Sequence, residues 1–171
     1  NADGVFVDSS TIRSTGSGTI SLTGTSTDGA ASDGVDLDDD ATGTASLVTS
    51  VSGAITLIGT SATDSGVEIQ GGSTVSSTGT GATAATITIQ GTSTGQGVYT
   101  SGSATSITSI DGAILISGTA TTAISVHGVE LGDGAVRSTG TSSLAATITV
   151  IGTSDEGQGV QIDDDFVLES V

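Results

Sequence analysis

The chain lacks proline, cysteine, methionine and tryptophan altogether, and lysine as well. Without cysteine there is no disulfide framework and no thiolate metal site. Asparagine occurs only at position 1, so no N-glycosylation sequon exists. The three aromatic residues are Phe6, Tyr99 and Phe166, too few for the aromatic-rich core of an ordinary globular domain. Positive charge is confined to Arg13 and Arg137, against 19 acidic residues, which gives a formal net charge of −17. Such a polyanion repels nucleic acid and anionic membrane surfaces, so neither is an expected partner. No apolar run is long enough to span a bilayer, so no membrane insertion is expected. Without an initiator methionine or a signal peptide, the chain reads as a mature product or an excised fragment.

What is present is glycine, 27 residues of it, with valine, isoleucine, alanine, serine and threonine. The mixture of β-branched residues favours strands over disorder. The dipeptide Gly-Val recurs at Gly4, Gly34, Gly66, Gly97, Gly128 and Gly159, at spacings of 30, 32, 31, 31 and 31 residues. Each copy continues in the same way. An alternating segment comes first (GVFV, GVDL, GVEI, GVYT, GVEL, GVQI), then a second (TIRSTG, LVTSVSG, TVSSTG, SITSIDG, AVRSTG). A third closes the copy (TISLTGTS, AITLIGTS, TITIQGTS, AILISGTA, TITVIGTS). The period of two is that of strands with one buried face, and Gly/Ser/Thr/Asp clusters mark turns between them.

Three short strands per repeat and no helical stripe predict a single all-β domain over residues 1–171. Its architecture is a parallel β-helix (β-solenoid) with three strands per coil, about 31 residues per coil and about 5.5 coils. Right-handedness is expected because parallel crossovers take that hand. Like residues then stack in columns that no single coil could bury alone. Strand 1 supplies Val5, Val35, Val67, Val98, Val129 and Val160, then Val7, Leu37, Ile69, Thr100, Leu131 and Ile162. Strand 2 is expected to supply Ile12, Val48, Val75, Ile107, Val136 and Val167, and strand 3 two ladders beginning at Ile20 and Leu22. Ser14, Ser50, Ser77, Ser109 and Ser138 point inward at a corner where a hydroxyl can bond the backbone. The Gly of each GTS is expected at a bend needing positive φ or close backbone approach. Val126–His127 and Leu144–Ala146 read as local insertions or drift in the turns. At ~4.8 Å per coil the rod is roughly 26 Å long.

The pattern GV-x-(I/V/L), (I/V)-x-S-x-x-G, (T/A)-I-T-(I/L)-x-G-T-S resembles the repeats of giant bacterial surface proteins of the filamentous-haemagglutinin-like type, over almost the whole chain. The resemblance implies a right-handed parallel β-helix, secreted or displayed on a bacterial surface, used in adhesion, biofilm matrix or fibre building. The sequence lacks that family's usual secretion domain and is poor in asparagine.

Candidate chemistry is sparse. Polysaccharide cleavage needs a tuned base or paired carboxylates in a cleft, which the sequence does not display. His127 reads as a solvated turn residue. Arg13 and Arg137 share an outward column four coils apart, roughly 19 Å, too far to act on one group. No enzymatic activity and no catalytic residue are expected. Two readings of the acidic turns stand side by side: a solvated acidic edge with no cofactor, or weakly bound Ca²⁺ at Asp3, Asp8, Asp33, Asp36, Asp38 and Asp40. Asp36-x-Asp38-x-Asp40 mimics the start of an EF-hand loop, but Ala41 and Leu47 stand where that loop needs Gly and Glu. Stacking places Asp3 with Asp33 and Asp8 with Asp38, and carboxylates ~5 Å apart repel unless a cation or solvent intervenes. A second acidic triplet, Asp163–Asp165, falls in the matching turn of the last coil. The outward threonines of strand 3 form an interrupted array, read as ordinary exposed strand residues. Gly79–Gly81 and Gly95–Gly97 are coil turns, with no lysine or helix to make a phosphate loop. Outward Phe6 and Tyr99 read as incidental.

The first coil begins at Gly4 and the last stops after its second strand, without a capping helix on either side. Exposed parallel edges invite pairing with another chain. The expected partner is therefore a second copy stacked end to end, or continuation in a longer repeat chain, with a glycan or surface ligand as the alternative. The acidic last coil could block an edge, with Arg13 of a stacked neighbour offsetting part of its charge. The expected function is a non-enzymatic extracellular structural module. An adhesin repeat segment and, last, a carbohydrate-active enzyme are the alternatives.

Overall fold

The computed structural model describes residues 2–27, 31–40, 42–121, 125–141 and 146–171. It is a three-sheet parallel β-solenoid with no α-helix among the described residues. Strand 1 occurs at Val5–Asp8, Val35–Asp38, Val67–Ile69, Val98–Thr100, Val129–Leu131 and Val160–Ile162. Strand 2 occurs at Thr11–Ser14, Leu47–Ser50, Thr74–Ser77, Ser106–Ser109, Ala135–Ser138 and Val167–Ser170. Strand 3 occurs at Ile20–Ser26, Ile55–Ser61, Ile87–Ser93, Ile114–Ala120 and Ile148–Ser154. Each strand pairs in parallel with its equivalents one coil up and one coil down, giving sheets of six, six and five strands.

The register follows the columns read from the sequence: Val5 pairs with Val35, Val7 with Leu37, Ile12 with Val48 and Ile20 with Ile55. One column is corrected. Val136 pairs with Leu168, not Val167, so Leu168 takes the sixth position of the strand 2 ladder. The turn between strands 1 and 2 varies in length from coil to coil, and alternation alone does not fix parity across it. The shift adds Ser170 to the inward serine column, opposite Ser138.

The interior is an aliphatic ladder in which Leu37, Ile55, Leu57, Ile69, Ile87, Ile89, Ile116 and Leu131 are fully buried. It narrows along strand 3. There the Gly of each GTS lies inside the strand with no positive φ, so close approach and not a bend is the reason for it. A β-carbon at Gly24, Gly59, Gly91, Gly118 or Gly152 would overlap the carbonyl oxygen of Gly34, Gly66, Gly97, Gly128 or Gly159 respectively. The two glycine columns pack backbone to backbone and close one side of the coil.

Beyond this seam the serine of GTS makes the corner. Ser61 Oγ donates to the Ser32 carbonyl at 2.7 Å and accepts from the Thr63 and Asp64 amides. Ser93 does the same toward the Asp64 carbonyl, and Ser154 toward the Val126 carbonyl at 2.8 Å. Val126 thus holds the position of Ser32 and Asp64, and the turn that contains it, between Ala120 and Val129, is longer than those between Ser61 and Val67 and between Ser93 and Val98. Of the other expected insertion, Leu144 and Ala145 lie outside the described residues, as does Ala41.

The strand 2 serines behave unevenly. Ser50 Oγ donates to the Gly53 carbonyl at 2.5 Å, whereas the buried hydroxyls of Ser77, Ser109 and Ser138 have no partner among the described residues.

Candidate functional site: an acidic pocket beside the first sheet

The residue before each Gly-Val bonds across coils. Asp3 Oδ1 accepts the Asp33 amide at 2.8 Å, and Asp33 Oδ1 accepts the Ser65 amide at 2.8 Å. Further along the column His127 Nδ1 accepts the Gln158 amide at 3.1 Å. His127 therefore has a bonding role in the coil stack and is half-buried, where the sequence suggested a solvated turn.

Outward-facing side chains of strand 1 stack as Phe6, Asp36, Glu68, Tyr99, Glu130 and Gln161. Alternation points Asp36 out of the core, yet it is only 4% exposed, as is Asp33. Both line a pocket of about 400 Å³ with Asp3, Phe6, Ala31, Asp38, Asp64, Glu68 and Gln70. One carboxylate oxygen each from Asp33, Asp64 and Glu68 falls within 4.8 Å of the others. Asp36 Oδ1 accepts Gln70 Nε2 at 3.3 Å.

Crowded, poorly solvated carboxylates resist ionisation. Burial, then the Asp33 charge, pushes Glu68 up. Asp33 is pushed up in turn, by burial first and the Asp64 charge second, with the Ser65 amide acting in opposition. Asp36 is raised to about 7, again chiefly by burial. Asp38 is raised by burial as well, while its neighbour Asp39 donates its amide to Asp38 Oδ1 at 2.8 Å. The cluster can be neutralised by protons or by a hard cation, for which an all-oxygen donor set is suited.

Of the residues expected to hold Ca²⁺, Asp33, Asp36, Asp38 and Asp3 meet at this pocket. Asp8 pairs in register with Asp38 but bonds Ser9 Oγ. Asp40 is a turn residue. Its Oδ1 accepts the amides of Thr42 and Thr44 and the Thr42 hydroxyl, which lowers its pKa to about 2. The sequence reading missed Asp64 and Glu68. Glu68 sits in the Asp36 column, and Asp64 adjoins Ser65, which stacks on Asp33, so aligning neighbours of the columns would have found both.

The pocket brings close carboxylates together, which the sequence by itself does not display. Asp33 among them also accepts a backbone amide.

A second pocket, about 430 Å³, lies between Tyr99, Gly132, Asp133, Ile162 and Asp163–Asp165. Burial and then the Glu130 charge raise the Tyr99 hydroxyl. No family model, curated protein or solved structure matches the chain.

Proposed function

We propose that the chain is a non-enzymatic structural module that builds or extends a fibre outside the bacterial cell by edge-to-edge stacking of its coils, as in the surface-protein repeats it resembles. The observation that carries this reading is the unbroken parallel register: each coil offers its neighbour the same hydrogen-bonding edge and the same inward columns, and in three of those columns every member in coils two to five is buried. A partner that continues both the hydrogen bonds and the ladder extends that arrangement. A head-to-tail contact of this kind does not close on itself and grows into a filament. Electron microscopy and sedimentation of the purified chain test it: filaments or a concentration-dependent series of oligomers are expected. Monomers at all concentrations, together with specific retention on a glycan array, would replace it with the adhesin reading.

Calcium is a second reading, favoured by the approach of Asp33, Asp64 and Glu68 oxygens to within 4.8 Å. The site shares Asp33 with the expected set, and Asp3, Asp36 and Asp38 of that set line the same pocket, whereas Asp64 and Glu68 are additional. Calorimetry at pH 8 tests it, with Glu68→Gln as the control. Heat lost in the variant supports the site, and no heat with no thermal shift in the unmodified chain ends the idea.

A further inference from the structure

The outward face of sheet 3, the sheet built from the five third strands, carries no charge. Its strands are seven residues long and present three outward columns. The last of these is threonine in every coil: Thr25, Thr60, Thr92, Thr119 and Thr153 stack in register. Their hydroxyls have no hydrogen-bond partner among the described residues. The middle column runs Thr23, Ile58, Gln90, Ser117 and Ile151, and the first bears hydroxyls except at Leu115. Ile58 and Ile151 are 36% and 52% exposed. The other two sheets differ. Asp36, Glu68 and Glu130 stand outward on sheet 1, and Arg13, Arg137 and Glu169 on sheet 2. Beside sheet 3, Asp64, Asp111, Asp155 and Glu156 are confined to the flanking turns.

We infer that sheet 3 is a lateral contact surface, on which a second copy of the chain packs face to face with the two rods parallel. A chain of net charge −17 repels its copies, and this is the one sheet face that brings no charged side chain into the contact. A two-fold axis along the rod, between the facing sheets, sets the middle column against itself and the first column against the third. Ile58 then meets Ile58 of the other copy, Ile151 meets Ile151, and the two Gln90 carboxamides face each other, each able to donate and accept. Rotation about the strand direction would instead set like turns together, so that Asp64, Asp155 and Glu156 crowd the same residues of the other copy. Small side chains and the absence of aromatic residues let the two sheets pack at about 10 Å. Each coil adds a strip of roughly 23 by 4.8 Å, so the five strands of sheet 3 cover about 1,100 Å² over both copies, at the low end for a specific interface. The contact runs along the side of the rod and is independent of end-to-end stacking.

Gln90→Glu tests the surface, because it keeps the side-chain shape, lies on the exposed face and sets a carboxylate opposite its own copy. Thr108→Glu, outward on sheet 2, adds the same charge elsewhere. Sedimentation and small-angle X-ray scattering of the full chain, at low and high salt, report association and rod width. The parent is expected to form particles or filaments two rods wide, favoured by salt because screening relieves the flanking carboxylates. Gln90→Glu should weaken this lateral contact at least about ten-fold, and Thr108→Glu should stay within about two-fold of the parent. Ile58→Glu, a second exposed position of the same column, should act as Gln90→Glu does. A parent that stays one rod wide at every salt concentration overturns the lateral contact, and if it also forms filaments, end-to-end stacking survives. Equal behaviour of Gln90→Glu and Thr108→Glu overturns the assignment to sheet 3. Retention of monomeric parent on cellulose, abolished by Gln90→Glu, overturns the second copy as occupant and gives the face to a neutral polysaccharide.

Discussion

Gly59 faces Gly66 across the narrow side of the coil so closely that a methyl group on Gly59 would overlap the Gly66 carbonyl oxygen. Both positions are backbone walls, with no flexible side chain to move aside. Gly59→Ala is therefore expected to cost about 3 kcal/mol or more in urea unfolding. Gly16→Ala is the control, since a β-carbon there meets nothing within 4 Å. It should stay within about 0.5 kcal/mol of the parent. Equal effects of the two would mean that the glycine columns do not touch.

Thr100 interrupts the ladder Leu37, Ile69, Leu131, and its buried hydroxyl has no hydrogen-bond partner among the described residues. Valine has nearly the same shape without the desolvated oxygen. Thr100→Val should stabilise the chain by about 1 kcal/mol, read from the midpoint of chemical unfolding. A loss of stability would show that the hydroxyl is bonded.

The acidic pocket makes stability fall as pH rises. Asp36 has a folded pKa of about 7 against 3.8 for the free group, so the folded state holds a proton that the unfolded chain releases. The contribution is fully present below pH 3.8 and is lost as pH climbs to about 7. Glu68 and Asp33 are shifted in the same direction and reinforce it. Asp40 acts oppositely: its lowered pKa removes stability as pH falls from 3.8 toward 2. Thermal unfolding should show a maximum near pH 4 and a lower Tm at pH 8. Asp36→Asn should raise Tm at pH 8 and change it little at pH 4. A Tm that rises from pH 4 to pH 8 would contradict the burial of these carboxylates.

Much of this molecule is legible in its sequence because a solenoid repeats its solution. Val35 over Val67 over Val98 is both a spacing in the chain and a contact in the fold. Where the repeat length drifts, legibility fails. Leu168 and Val167 exchanged places in the reading because the turn before them has no fixed length. The acidic pocket was half visible. Asp33 and Asp36 stood out as part of a cluster in one coil, but Asp64 reaches Asp33 from a neighbouring column of the next coil, a diagonal contact that column-by-column comparison does not register. The burial of Asp36 was not legible at all, since alternation assigns it to the outer face and only the pocket walls desolvate it.

The central claim is that coils continue across the boundary between copies. X-ray diffraction from oriented, concentrated material tests it most directly. Strands lying across a continuous rod predict a sharp meridional reflection near ~4.8 Å, from filaments visible in the same sample. Isotropic scattering from separate particles of 16.2 kDa, unchanged across concentration and salt, would contradict it.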